Sequence, residues 1–279
     1  MPWVVGIDEA GYGPNLGPFV QAAAALRLPE HDLGGWKTLK TTVRRAHEED
    51  DGRLLVDDSK KVYAGGAGFD RLAAGVFAAL RHRPPRVGDL AAAVLAEWCH
   101  CQLDDECWYD PTGELDSFDH SDFGDHALVY SAAVVPTPAF NAVVDRAGTK
   151  GAVTADGVGS FLAHLHATLP AGEPVVASCD KLGGRNFYGA ILAAAFPDGW
   201  PVADKESAAE SRYRILNLDR ELTVTFRPRA DGESVCVALA SMLAKYLREV
   251  CMKQFNVFWA KHVPGIRPTA GYPGDAKRF

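Results

Sequence analysis

The sequence predicts an α/β fold, a mixed sheet flanked by helices, and three observations carry that expectation. Val4-Val5-Gly6-Ile7 is a short, largely β-branched run that ends on Asp8-Glu9 and a glycine-rich turn. Glu173 to Cys179 is a second apolar run, and it too delivers an acid, Asp180, to a turn containing Gly183 and Gly184. The third is a long helix from about Val235 to Phe255, in which Leu239, Leu243, Tyr246, Leu247 and Val250 recur at helical spacing and form an apolar stripe for a sheet.

Acids at the end of a buried strand are costly unless they are hydrated, paired or bound to a cation, so Asp8-Glu9 marks either a solvated loop or a metal site. Gly11, Gly13 and Gly17 do not make a dinucleotide fingerprint, because the third follows the second by four residues and Pro14 and Pro18 interrupt the required helix. They do permit close backbone approach to a ligand beside the two acids. Phe19 to Leu28 reads as a strand pairing with the first, and residues 36 to 50 as a loop or exposed helix. Val56-Asp57-Asp58-Ser59-Lys60-Lys61 precedes a helix predicted over Gly68 to Leu80, and its Ser59 and Lys60 suit either a phosphate contact or a capping segment.

Further along, Ala127 to Val135 is a strand and Pro136 to His166 is helical with breaks near Gly148 and Gly151. A helix is expected over about Phe187 to Ala195. A strand, Leu222 to Phe226, leads through Arg227 and Arg229 to Asp231, just before the long helix, and the tail from Asn256 to Phe279 has no regular period.

At 279 residues and 47% hydrophobic content the chain can bury a substantial core. No run has the length of a transmembrane helix and the start lacks the blocks of a signal peptide, so a cytoplasmic protein with reduced thiols is expected. Cys99-His100-Cys101, with Cys107, lacks the second paired half of a zinc site. The net charge of −7 hides an uneven distribution: eleven acids and no Lys or Arg lie between Val87 and Asp125, which leaves 29 basic against 25 acidic residues elsewhere. Basic clusters at Lys37, Lys40, Arg44 and Arg45, at Lys60 and Lys61, and at Arg227 and Arg229 supply the local potential that recruits a polyanion, or are simply solvated faces.

Four blocks, in order along the chain, resemble one family. Ile7-Asp8-Glu9-Ala10-Gly11-Tyr12-Gly13-Pro14, Asp58-Ser59-Lys60, Asp231 followed by Ala240-Ser241-Met242-Leu243-Ala244-Lys245-Tyr246-Leu247-Arg248, and Gly271-Tyr272 are similar to the motifs of the type 2 ribonucleases H, the RNase HII family. The departures are Tyr12, where the family usually has a basic residue, and the setting of Asp180.

The resemblance implies a ribonuclease H-like catalytic domain over 1–279, with 87–125 an acidic insertion and 256–279 a C-terminal extension. It implies that Asp8, Glu9, Asp180 and Asp231 hold two divalent cations, Mg²⁺ or Mn²⁺, in the hydrolysis of RNA within RNA–DNA hybrids or at ribonucleotides embedded in duplex DNA. Gly11, Tyr12, Gly13, Ser59, Lys60, Lys181, Arg185 and Tyr272 are then the expected substrate contacts, and Asp58, Asp204 and Glu206 are alternative acids. Two other readings are a nucleic-acid-binding protein with the ribonuclease H fold and weak or no catalysis, and a metal-dependent phosphodiesterase acting on another nucleic acid.

Overall fold

Alternating burial decides which way each residue of the first strand faces. In β1 (Trp3–Ala10), Trp3, Val5 and Ile7 enter one core and Val4 the other, the period-two pattern of a strand covered on both faces. The computed structural model describes residues 1–97, 103–116, 123, 124, 126 and 128–279. Its other strands are β2 (Phe19–Arg27), a short parallel pair β3 (Val43–Arg44) and β4 (Leu54–Leu55), β5 (Leu128–Val135), β6 (Val175–Asp180), β7 (Trp200–Glu206), β8 (Ser211–Leu216) and β9 (Leu222–Arg227).

Seven of these form one mixed sheet in the order β5-β2-β1-β6-β9-β8-β7. Its three central strands, β1, β6 and β9, run parallel, and the strands outside them are antiparallel to their neighbours. All three central strands therefore end on the same edge, where ligands collect in open α/β sheets.

The helices are α1 (Ser59–Tyr63), α2 (Gly68–Leu80), α3 (Val87–Val94), α4 (Thr137–Ala147), α5 (Gly151–Thr168), α6 (Gly189–Ala195), α7 (Val235–His262) and α8 (Pro273–Ala276). Leu72, Phe77, Leu90, Leu239 and Leu243 bring α2, α3 and α7 onto one face of the sheet. Phe161, Leu165 and Leu192 bring α5 and α6 onto the other. The mixed sheet flanked by helices is the architecture the sequence predicts.

Two details differ from the sequence expectations. The helix α7 runs past Phe255 to His262, because Phe258 and Trp259 still find the core, so beyond that point the tail is irregular apart from the single turn of α8. The β7–β8 hairpin was not expected; it is a half-solvated edge whose alternating charges pair across the strands, as Asp204 does with Arg214 at 2.9 Å.

The acidic stretch is more than a surface lobe. Leu90, Val94, Trp108 and Phe123 are buried in the same core as α7, with the Trp108 ring 6.2 Å from that of Phe255. Among the described residues its acids are exposed or partly exposed beside these packed apolar residues. Trp98, the zinc-like Cys99, His100 and Cys101, and Asp119, Asp122 and Asp125 lie outside the described residues. Cys179, Cys236 and Cys251 are free and buried, and Cys107 is free and exposed. Among the described residues no helix is long and apolar enough to cross a membrane.

One close approach sets the position of α7. A Cβ at Gly6 would lie 2.1 Å from the Val237 nitrogen and 2.2 Å from the Cys236 carbonyl carbon, so only glycine lets the first turn of α7 rest on β1. The Gly6→Ala protein is expected to lose about 1–3 kcal/mol or more of stability through overpacking, measured by chemical denaturation. Gly66→Ala, where nothing lies within 4 Å, is the control and should change little.

Candidate active site

The register of the parallel strands lines up the first two acids. Ile7 pairs with Cys179 and both side chains enter the core under α5 and α6, so the next residue on each strand, Asp8 and Asp180, turns to the α7 face at the same level. Glu9 follows Asp8. On the third strand Arg227 pairs with Asp180, and the chain then enters a single 3₁₀ turn, Ala230–Gly232, that carries Asp231 to the start of α7.

The four carboxylates act on one another electrostatically. Burial, and then the charge of Glu9, raise the Asp8 carboxyl well above its ordinary value. Burial and the charge of Asp180 raise Glu9 to about 7, while the nearby Lys60 ammonium opposes the shift. Asp231 is raised by burial, then by Asp58, and also by Asp180. Asp180 thus faces all three others. Among the described residues, none of the four forms an ion pair with a basic side chain.

Backbone amides aim these groups without neutralising them. Asp8, Asp180 and Asp231 each accept the N–H of the following residue through Oδ1, at 2.9, 3.0 and 2.9 Å, and Asp180 also accepts that of Arg229 at 2.8 Å. Arg229 takes a left-handed backbone, φ 59°, an uncommon conformation for a residue with a side chain. The Ser241 side chain bonds the Asp8 carboxylate, and its hydroxyl pairs with that of Ser59 at 2.9 Å.

These oxygens suit a hard divalent cation, because buried like charges without a basic partner are stabilised by one. Among the described residues no three His, Cys, Asp or Glu side chains are gathered tightly enough to hold a metal ion as they stand. What fits a cation is therefore the charge and chemistry of the donors.

The expected substrate contacts divide into two groups. Gly11, Tyr12 and Gly13 form the turn after β1, and Gly271 is tied to the end of that turn by Asn15 N–H and Leu16 N–H donating to its carbonyl at 2.7 and 3.2 Å. Tyr272 is exposed next to Gly13, whose added Cβ would stand 4.0 Å from the Tyr272 ring. Lys60 is exposed near Glu9, and Arg185 is exposed on the loop after Asp180.

Two residues of that set face inward instead. Ser59 is buried with its hydroxyl on Ser241. The Lys181 ammonium donates to the carbonyls of Arg185 and Ser207, to Asn186 Oδ1 and to Ser211 Oγ, so it holds the loop together and has no donor left for a phosphate.

Of the alternative acids, Asp204 pairs with Arg214 and Glu206 accepts from the Tyr213 hydroxyl, both on the far edge strand β7. Asp58 stands near Asp231 and caps α1 by accepting Lys60 N–H at 2.9 Å.

Sequence reasoning missed the supports beneath the site. Arg45 donates to the Gly232 carbonyl at 3.1 Å and reaches the buried Asp57 carboxylate at 3.6 Å, tying the turn of Asp231 to the segment before α1. Arg248, fully buried, donates to the Ala270 carbonyl at 3.0 Å beneath the two glycine turns. At Gly11, φ 95°, an added Cβ would fall 2.7 Å from its Nε. The basic clusters hinted at Arg45, but nothing local to the sequence distinguishes a tether from a solvated charge.

No protein-family model and no curated protein matches the chain. Among solved structures it is similar to the ribonuclease H2 from Pyrococcus horikoshii OT3 at 16% identity and a TM-score of 0.49, covering 98% of this chain and 82% of that one. It is similar also to the RNase HII from Archaeoglobus fulgidus, solved in complex with PCNA, at 15% identity and a TM-score of 0.49, covering 98% and 81%. Bst-RNase HIII, solved with Mn²⁺, shares 18% identity at a TM-score of 0.47, covering 92% of this chain and 55% of that one.

Proposed function

We propose that the chain is a metal-dependent endonuclease, one catalytic unit over 1–279, that hydrolyses the RNA strand of RNA–DNA hybrids or ribonucleotides embedded in duplex DNA, leaving 5′-phosphate and 3′-hydroxyl ends. The observation that carries this reading is the convergence of Asp8, Glu9, Asp180 and Asp231 on one edge of the sheet, mutually repelling and without basic partners. The motif resemblance around Asp8, Lys60, Asp231 and Tyr272 supplies the substrate class.

In this mechanism Asp8, Glu9, Asp180 and Asp231 would hold Mg²⁺ or Mn²⁺, whose chemistry when bound is to activate water and to stabilise the leaving 3′-oxygen. The chain's own groups do the rest. Ser241 fixes the orientation of Asp8, and Lys60, beside Glu9, offers its ammonium to the phosphodiester. The Gly11–Gly13 turn and Tyr272 lie together, so backbone amides and a ring face are available where a 2′-hydroxyl must be read. Tyr12 in place of a cation favours a second reading, in which the same surface binds hybrids and cuts them poorly.

Cleavage assays on hybrid, single-ribonucleotide and all-DNA duplexes test the proposal. Asp8→Asn and Asp231→Asn should each lower hybrid cleavage by at least about 100-fold with no fall in melting temperature, whereas Asp204→Asn and Glu206→Gln should cut normally. Near wild-type rates in the first pair would show that the site is misplaced.

Stability offers an independent check. Because Asp8 and Glu9 titrate above their unfolded values, the folded chain keeps protons that the unfolded chain has released. The contribution of these two groups to metal-free stability should therefore be full below about pH 3.8, the ordinary value of the Asp8 carboxyl, and be lost as the pH rises through about 7, where Glu9 titrates. Glu9→Gln should flatten that fall, and saturating Mg²⁺ should raise the melting temperature of the wild type at pH 8 more than that of Asp8→Asn.

Tyr272→Ala should reduce cleavage at a single embedded ribonucleotide more than cleavage of a long hybrid. Equal losses on the two substrates would remove Tyr272 from ribose reading.

A further inference from the structure

The loop after Asp180 is held more firmly than an exposed loop requires. Four acceptors surround the Lys181 ammonium. The Tyr188 ring stacks on Phe226 at 3.6 Å between centroids, its hydroxyl donates to the Arg185 carbonyl at 3.0 Å and accepts the Leu182 N–H at 3.2 Å, and its own N–H donates to the Tyr213 hydroxyl at 2.8 Å. Ser211 Oγ donates to the Asn186 carbonyl at 2.7 Å. The loop is thus fixed both by its own groups and by Ser207, Ser211, Tyr213 and Phe226 outside it.

What this scaffold presents outward is unusual. Phe187, next to the buried Tyr188, is 70% exposed, and among the described residues its ring has no aromatic partner. The exposed Arg185 and Arg229 guanidinium groups make no ion pair among the described residues. A concavity of about 320 Å³, lined by Asp180, Gly183, Gly184, Asn186, Pro228 and Arg229, opens between the loop and the end of β9. Asn186, which precedes Phe187, and Arg229 line this concavity, and an exposed ring with unpaired cations is the combination that binds single-stranded nucleic acid, the ring stacking on a base and the cations holding phosphates. A base inside a duplex has no free face for such a ring.

We infer that loop 181–188, together with Arg229, is a preformed subsite for an unpaired nucleotide flanking the cleavage position, with Phe187 stacking on its base and Arg185 and Arg229 contacting its phosphates. The inference rests on the nuclease reading. It makes hybrids with a single-stranded overhang or an unpaired junction the preferred ligands over blunt hybrids.

Fluorescence anisotropy without divalent cations, so that nothing is cut, tests it with a dye-labelled blunt RNA–DNA hybrid and the same hybrid carrying a short overhang at either end. The wild type should bind the better overhang hybrid about tenfold more tightly than the blunt one. Phe187→Ala should lose that preference while keeping its affinity for the blunt hybrid and its melting temperature, and Phe187→Trp should retain the preference. A preference unchanged in Phe187→Ala, or a wild type that binds both hybrids equally, overturns the subsite and leaves the nuclease reading standing. A wild type that binds neither hybrid overturns the subsite, and the cleavage assays above then decide the nuclease reading by themselves.

Discussion

The site depends on how closely α7 lies against β1. At Gly6 the backbone of Cys236 and Val237 occupies the space of a side chain, and the start of the helix is fixed further by Cys236 Sγ donating to the Val4 carbonyl at 3.3 Å and Val235 N–H donating to the Gly34 carbonyl at 2.9 Å. That contact sets Ser241 over Asp8 and leaves the turn carrying Asp231 beside the ends of β6 and β9. A helix displaced by the width of one methyl group would separate the acids that arrive from the sheet from the one that arrives with the helix. Arg45, bridging Gly232 and Asp57, braces the same turn from the other side.

Holding four acids together without basic partners costs stability, and the elevated carboxyls of Asp8, Glu9 and Asp231 are the sign of it. The backbone amides that cap Asp8, Asp180 and Asp231 offset part of this cost and fix where the oxygens point. They leave the remaining lone pairs free. A structural ion-pair network would have placed an Arg or Lys among these oxygens, as the protein does around Glu210, which is paired with Arg212 and Arg227. The contrast between these two acidic environments in one sheet is the physical basis for treating the first as a cation site.

Much of this arrangement was legible in the sequence because its signals are local. Two strands that each deliver an acid to a glycine turn, and one long striped helix, were enough to place β1, β6 and α7, and Asp8, Asp180 and Asp231 then follow from where those elements end. The β7–β8 hairpin was not legible, since cross-strand charge pairs on a half-solvated edge look like a polar loop. The inward turn of Lys181 was not legible either: a lysine in a glycine-rich loop reads as a phosphate contact until the acceptors from Ser207 and Ser211, distant in sequence, are seen around it. The burial of Leu90 and Trp108 was not legible either, because each stands among exposed acids in the sequence.

The central claim is that Asp8, Glu9, Asp180 and Asp231 form one cation site. Anomalous diffraction from crystals soaked in Mn²⁺ tests it most directly. The account predicts a Mn²⁺ peak coordinated by Asp8 and at least one of Glu9, Asp180 and Asp231, and the loss of that peak in Asp8→Asn. Mn²⁺ bound only elsewhere, for instance among Asp110, Glu114 and Asp116, or an Asp8→Asn crystal with the same peak, would contradict it.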